Sequence, residues 1–179
     1  MWELFGQSVW FFIPAGIANL AASLSRFIPF LNYPVDFGKT WKGKRIFGSH
    51  KTWRGIFFGT LFAILTFWCQ QYLYRFEFFE ALSLFDYVEA SWVIGLLLGL
   101  GAVWGDSIRS FLKRRINIKP GDMWMPFDQI DYSIGAFALV SITFFPGWKI
   151  GIMAVCLYFF IHVFFNLLGY ILRIQKNKF

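Results

Sequence analysis

Two short stretches of this 179-residue chain carry residue types that handle phosphate: Ser110-Phe-Leu-Lys113-Arg114-Arg115 and, a little further on, Asp128-Gln-Ile-Asp131. Cations screen a phosphate anion, and paired carboxylates can hold a hard divalent ion beside it. Asp128 and Asp131 are three apart just after Pro126, so at the start of a helix they share a face. A helix-capping or dipole role, worth about 0.5 to 2 kcal/mol, accounts for one of them. The pair also suits octahedral Mg²⁺, which takes one or two carboxylates together with water and substrate phosphate. Asp106 closes a run with Gly95, Gly99, Gly101 and Gly105, small residues that let helices pack closely. It lies about 16 residues into an apolar run and is expected to face a polar cavity, because facing lipid is costly. Continuing that helix puts Asp106, Ser110 and Lys113 along one side.

A second basic region interleaves Lys39, Lys42, Lys44, Arg45, Lys51 and Arg54 with Gly38, Gly43, Gly48 and Gly55. Most juxtamembrane Lys/Arg clusters set topology or anchor anionic lipid headgroups. The glycines add the close backbone approach that a phosphate cradle needs. Gly43 to Thr52 is not the phosphate loop of nucleotide hydrolases, since two extra residues separate the second Gly from the Lys and no strand precedes it. Lys51, Thr52 and Arg54 nevertheless stand where an apolar helix begins, and its backbone amides favour an anion. His162 and Asn166 form an i, i+4 pair in another apolar run, where an interhelical hydrogen bond is the plain reading.

The elements that position these residues belong in a bilayer. The chain is 58% hydrophobic and 15% charged, with 25 Phe, 9 Trp and a mean hydropathy of +0.54, beyond what soluble globular domains carry. Five apolar runs of about 20 residues each, near 8–31, 53–74, 91–112, 131–147 and 149–172, fit a hydrocarbon core about 30 Å thick. The expected fold is all-α: one membrane-embedded unit over residues 1–179, a bundle of about five transmembrane helices. The first run is not read as a signal peptide, because Met1 to Gln7 holds no Lys or Arg. Cys69 and Cys156 fall inside apolar runs without a CxxC or His partner and pack as small hydrophobes. Trp53, Trp92, Trp148 and Tyr170 sit near run ends as interfacial residues.

Basic residues concentrate in 32–54, in 106–131 and in the tail (Arg173, Lys176, Lys178), whereas 75–90 carries Glu77, Glu80, Asp86 and Glu89. The excess of cations on cytoplasmic loops then predicts an outer N-terminus, an inner C-terminus and cytoplasmic catalytic loops of a multi-pass plasma-membrane protein. A transporter would put ionisable groups near mid-membrane or show inverted repeats. Here the acids gather at one boundary and no repeat is evident; the non-enzymatic alternative is a membrane transporter or a lipid-binding scaffold.

The chain resembles the CDP-archaeol synthase family, relatives of the membrane phosphatidate cytidylyltransferases, over nearly its whole length. The resemblance rests on Pro34-Val-Asp36-Phe-Gly38-Lys39, Gly48-Ser-His-Lys51-Thr52-Trp-Arg54-Gly55, Gly105-Asp106-Ser107, Ser110-Phe-Leu-Lys113-Arg114-Arg115, Pro126-Phe-Asp128-Gln129-Ile-Asp131 and His162-Val-Phe-Phe-Asn166. It implies five transmembrane helices and a reaction in which CTP, with Mg²⁺, converts an isoprenoid glycerol ether phosphate to its CDP-activated form and releases pyrophosphate. Phosphatidate or a polyprenyl phosphate would serve the same chemistry. The partners implied are CTP, a lipid phosphate and the bilayer, with no nucleic acid; oligomeric state is left open.

By that resemblance Asp106, Asp128 and Asp131 are expected to hold the metal, and Lys113, Arg114, Asp128 and Asp131 to act in catalysis. Asp36, Lys39, Gly48, Lys51, Thr52, Arg54, Arg115, His162 and Asn166 are expected to bind the nucleotide or its phosphates. Within that set, Lys51, Thr52 and Arg54 would meet the triphosphate, and Lys113, Arg114 and Arg115 the lipid phosphate or pyrophosphate. A phosphate monoester is largely ionised near neutral pH, its second pKa being about 6, so no general base is required. Relatives are expected to read Asp-Gly-Arg-Arg where this chain has Lys42-Gly43-Lys44-Arg45, which shifts any metal ligation onto the remaining carboxylates.

Overall fold

The computed structural model describes residues 1–119 and 122–171. It is built from α1 (Trp2–Leu24), a 3-10 turn (Ser25–Phe27), a hairpin of β1 (Thr40–Trp41) and β2 (Lys44–Arg45), α2 (Trp53–Leu73), the short α3 (Glu77–Ala81), α4 (Val93–Arg115), α5 (Phe127–Val140) and α6 (Trp148–Ile171). The basic residues of the tail lie outside the described residues. Four helices, α1, α2, α4 and α6, are long and apolar enough to cross a membrane. The fifth, α5, has 14 residues and measures only about 21 Å at 1.5 Å per residue.

Its bounds differ from the apolar run 131–147 at both ends, for local reasons. The helix starts earlier because the Asp128 carboxylate reaches back to the Trp124 amide, at 2.9 Å, across Pro126. It stops at Val140, where Ser141 and Thr143 return their hydroxyls to the Phe137 and Val140 carbonyls and the chain turns through Pro146 and Gly147. The first run, expected at 8–31, is likewise helical only over Trp2–Leu24. Residues 28–31 are apolar but not helical: Ile28 is extended and the chain turns at Phe30 and Leu31, with Leu31 at φ 52°, and their carbonyls serve the start of α2, Ile28 accepting from the Arg54 guanidinium and Leu31 from the Arg54 amide.

The long helices α1, α2 and α4 run antiparallel in succession. Gln70 on α2 donates to the Trp10 carbonyl of α1 at 2.5 Å, while Gly59, nearer the start of α2, packs on Ala18 and Ala22. Gly95 and Gly99 of α4 lie against Phe67 and Ala63 of α2. The closest approach is between α4 and α5, where a Cβ on Gly101 would overlap the Gly135 carbonyl and a Cβ on Gly105 the Asp131 carbonyl. Small residues at such a crossing let backbones touch where lipid supplies no hydrophobic driving force. That contact also fixes the depth of Asp131 beside Asp106.

At one end of the bundle the loop before α4 folds inward. Tyr87 is fully buried and stacks on Phe85 (4.6 Å) and Phe67 (5.3 Å), and Gln71 donates to the carbonyls of Tyr87 and Ala90. The acid-rich segment 77–89 belongs to this end. The starts of α2 and α5, the end of α4 and the basic loops form the other end, so the charges segregate along the bundle axis.

Candidate active site

The loop between α1 and α2 is organised around one carboxylate. Asp36 is buried and accepts the Arg45 guanidinium (2.7 Å) and the amides of Gly38 (3.0 Å), Phe47 (3.1 Å) and Gly48 (3.0 Å). Burial alone would push its pKa up, but the guanidinium and these amides outweigh it and hold the carboxyl down at about 2. Both carboxylate oxygens are thus engaged within the loop. Lys39 is exposed and exchanges backbone hydrogen bonds with Asp36 and Ile46.

Lys42 and Gly43 are the two turn residues of the hairpin, with φ of 51° and 74°. That is the turn for which Asp-Gly is a favoured sequence. The Lys42 ammonium lies 5.4 Å from the Trp41 ring, so the cation at this position bears on turn chemistry. Arg115 clamps the hairpin onto the end of α4: its guanidinium donates to the carbonyls of Trp41 (2.6 Å), Lys44 (3.3 Å) and Arg45 (2.6 Å) and lies over the stacked rings of Trp41 and Phe111.

Thr52 caps α2, accepting the Gly55 amide at 3.3 Å. Lys51, one residue earlier, reaches across to α4 and pairs with Asp106. Asp106 also pairs with Arg109 one turn on, and Arg109 in turn meets Asp128 Oδ1 and Asp131 Oδ2, each at 3.1 Å. Lys113 is buried and holds both oxygens of Asp128, at 3.0 and 3.1 Å, as well as the Asp122 carbonyl at 2.5 Å. Arg114 donates to the Ile118 carbonyl at 2.6 Å. The three acids expected to hold metal and the lysines Lys51 and Lys113 thus come together, brought in from three segments: the loop before α2, α4 and α5.

Arg109, at the centre, is the residue that sequence reasoning missed. In the sequence it is one of the basic residues of 106–131, although its i, i+3 spacing from Asp106 is a signal for pairing. His162 stands edge-on to Tyr132, with ring centroids 6.4 Å apart, and its Nδ1 is buried without a hydrogen bond. Among the described residues neither His162 nor Asn166 makes the expected interhelical hydrogen bond.

Two polar cavities flank Lys51 and share it and His50 in their walls. One, of about 270 Å³, lies between α1, α2 and α4 and is lined by Asn19, Arg26, Thr52, Arg54 and Asp106. The other, of about 200 Å³, is lined by Gly48, Arg109, Lys113, Arg114 and Asp128. An apolar groove of about 260 Å³ between α4 and α5, walled by Ile108, Leu112, Phe127 and Ile134, has Arg109 and Asp131 in its lining. The Asp131 oxygen facing Arg109 is buried and makes no hydrogen bond. Hard carboxylate oxygens, one of them unsatisfied, are a donor set that suits Mg²⁺. In the structure their shared partner is Arg109, and among the described residues no three Asp, Glu, His or Cys side chains are disposed around a single ion.

A family model described as CDP-archaeol synthase (CarS-like) matches residues 1–179. Curated CDP-archaeol synthases are similar along the chain: that of Methanocaldococcus jannaschii is 34% identical over 176 residues, covering 97% of each chain. That of Methanopyrus kandleri is 34% identical over 179 residues, 98% of this chain and 94% of the relative. That of Pyrococcus furiosus is 40% identical over 131 residues, 73% and 71% of the two chains. A solved structure of an intramembrane enzyme for archaeal membrane lipid biosynthesis shares the fold with a TM-score of 0.65, at 24% identity over 89% of this chain and 92% of that one. With the family pattern matched from end to end, the chain belongs to the CDP-archaeol synthase family.

Proposed function

We propose that this protein is a CTP-dependent cytidylyltransferase that converts 2,3-di-O-geranylgeranylglyceryl phosphate to CDP-archaeol with release of pyrophosphate. The observation that carries this reading is the family match along residues 1–179. The paired cavities at the charged end of the bundle support it, since the reaction joins two phosphate-bearing substrates.

An oxygen of the lipid phosphate attacks the α-phosphorus of CTP, the bond to the bridging oxygen breaks, and pyrophosphate leaves with that electron pair. The attacking phosphate is already ionised, so the barrier this chain must lower is repulsion between two anions. Lys51, Thr52 and Arg54, with the amides at the start of α2, receive the triphosphate. Lys113 and Arg114 receive the lipid phosphate and offset the charge that develops as pyrophosphate departs. The groove between α4 and α5 takes the isoprenoid chains, with Arg109 and Asp131 where it meets the polar cavity. Asp106, Asp128 and Asp131 would hold Mg²⁺, which supplies charge neutralisation across the phosphates. The charged end faces the cytoplasm, where the water-soluble nucleotide is found, and the N-terminus lies outside.

The test is pyrophosphate release by purified protein in detergent with CTP and Mg²⁺, offering the ether lipid phosphate and phosphatidate separately and adding EDTA as a control. Release with the ether lipid, abolished by EDTA, is the expected result. Release with phosphatidate alone would overturn the substrate, and release that survives EDTA would overturn the metal.

A further inference from the structure

The carboxylates expected to bind metal carry no spare negative charge. Asp106, Asp128 and Asp131 are met by Lys51, Arg109 and Lys113, one cation for each anion, with every side chain of the six at most 22% exposed. Lys51 and Lys113 come from the flanks, and each pairs with one of the carboxylates. Arg109 alone touches all three, each through a different guanidinium nitrogen, so its head group stands between them and holds them apart. A divalent cation added to this cluster would stand beside a guanidinium at close range in a poorly solvated site, where like charges repel strongly.

We propose that Arg109 is a positioning residue that makes divalent-cation binding conditional on nucleotide. It stands between the three carboxylates until a polyphosphate draws the guanidinium into its own coordination, as planar bidentate donors suit phosphate oxygens. The carboxylates are then released to the cation that arrives with the nucleotide. Two features of the cluster fit this exchange. Arg109 lines the 200 Å³ polar cavity as well as the α4–α5 groove, so its head group has a cavity to swing into. The Asp131 oxygen it faces is buried and lies 3.1 Å from Nε without a hydrogen bond, an incomplete pairing that is readily given up. The inference rests on the metal assignment of the proposed function, and it explains why a site for a strongly hydrated ion would be kept closed: free Mg²⁺ bound without nucleotide would spend the carboxylates unproductively.

The experiment measures Mn²⁺ binding without nucleotide, by electron paramagnetic resonance of the free ion, for the detergent-solubilised full chain as wild type, R109K and R109Q. R109Q is expected to bind Mn²⁺ about tenfold or more tightly than wild type, equivalent to about 1.4 kcal/mol, with R109K close to wild type because it restores the cation. Equal affinity in R109Q and wild type would overturn the proposal. So would wild-type binding in the micromolar range that D131N abolishes, a result that needs no folded Arg109 variant. Activity separates the two readings: if wild-type turnover needs Mg²⁺ while R109Q gains no Mn²⁺ affinity, the conditional binding fails and the enzyme assignment stands. If turnover ignores EDTA, the metal assignment itself fails.

Discussion

Replacing Asp131 by Asn separates chemistry from architecture at this site. The substitution is isosteric and keeps the oxygen that accepts the Tyr132 amide at 2.7 Å. It removes one charge whose only ion-pair partner among the described residues is Arg109, 3.1 Å away. At an effective dielectric constant near 20 that attraction is about 5 kcal/mol, but desolvation of a buried pair cancels much of it, and Arg109 retains Asp106 and Asp128. The expected stability loss is therefore at most about 2 kcal/mol, while under the proposed metal role of Asp131 turnover falls by about a hundredfold or more. Asp106→Asn provides the contrast, since it strips two partners, Lys51 and Arg109, and should lower the melting temperature further. The assay pairs pyrophosphate release with thermal unfolding of the same detergent samples. If D131N melts within a few degrees of wild type and keeps more than about a tenth of its turnover, a barrier change below about 1.4 kcal/mol, Asp131 is not a ligand for the reaction.

Two further outcomes follow from the loop. Lys42→Asp places a favoured residue at a positive-φ turn position and should raise stability by a few tenths of a kcal/mol with turnover unchanged; a rise in metal affinity instead would mean that this position does reach the metal. Asp36, whose folded pKa of about 2 lies below its unfolded value near 4, contributes stability that is complete above the unfolded value and lost as pH falls through the folded one. Unfolding of wild type and D36N should therefore differ by a constant amount from pH 7 to about 5 and converge towards pH 2, and a gap that widens on acidification would refute the assignment.

Hydropathy made the long helices legible because it reports the transfer energy of whole runs, and α2, α4 and α6 begin and end within three residues of the apolar runs. It failed where local hydrogen bonding decides. Residues 28–31 are apolar yet leave the helix and turn, with Arg54 holding the Ile28 and Leu31 carbonyls, and α5 is cut short by a hydroxyl-bearing turn. In the site, residue type told which groups carry charge but not which of them spend it on each other. Asp36 and Arg115 are consumed in building the loop, and the centrality of Arg109 emerges only when α5 is packed on α4 through Gly101, Gly105 and Gly135.

The shortness of α5 has a consequence for traffic. Asp131 stands level with Gly105, ten residues before the end of α4 at Arg115, which is about 15 Å along a helix axis. The charged cluster therefore runs down from Lys113 near the rim to Asp106 and Asp131 at the floor of a well. A lipid headgroup could slide towards it sideways from the surrounding leaflet, whereas the nucleotide must descend from the water above. The two substrates would arrive by perpendicular routes, so neither needs to leave for the other to come in.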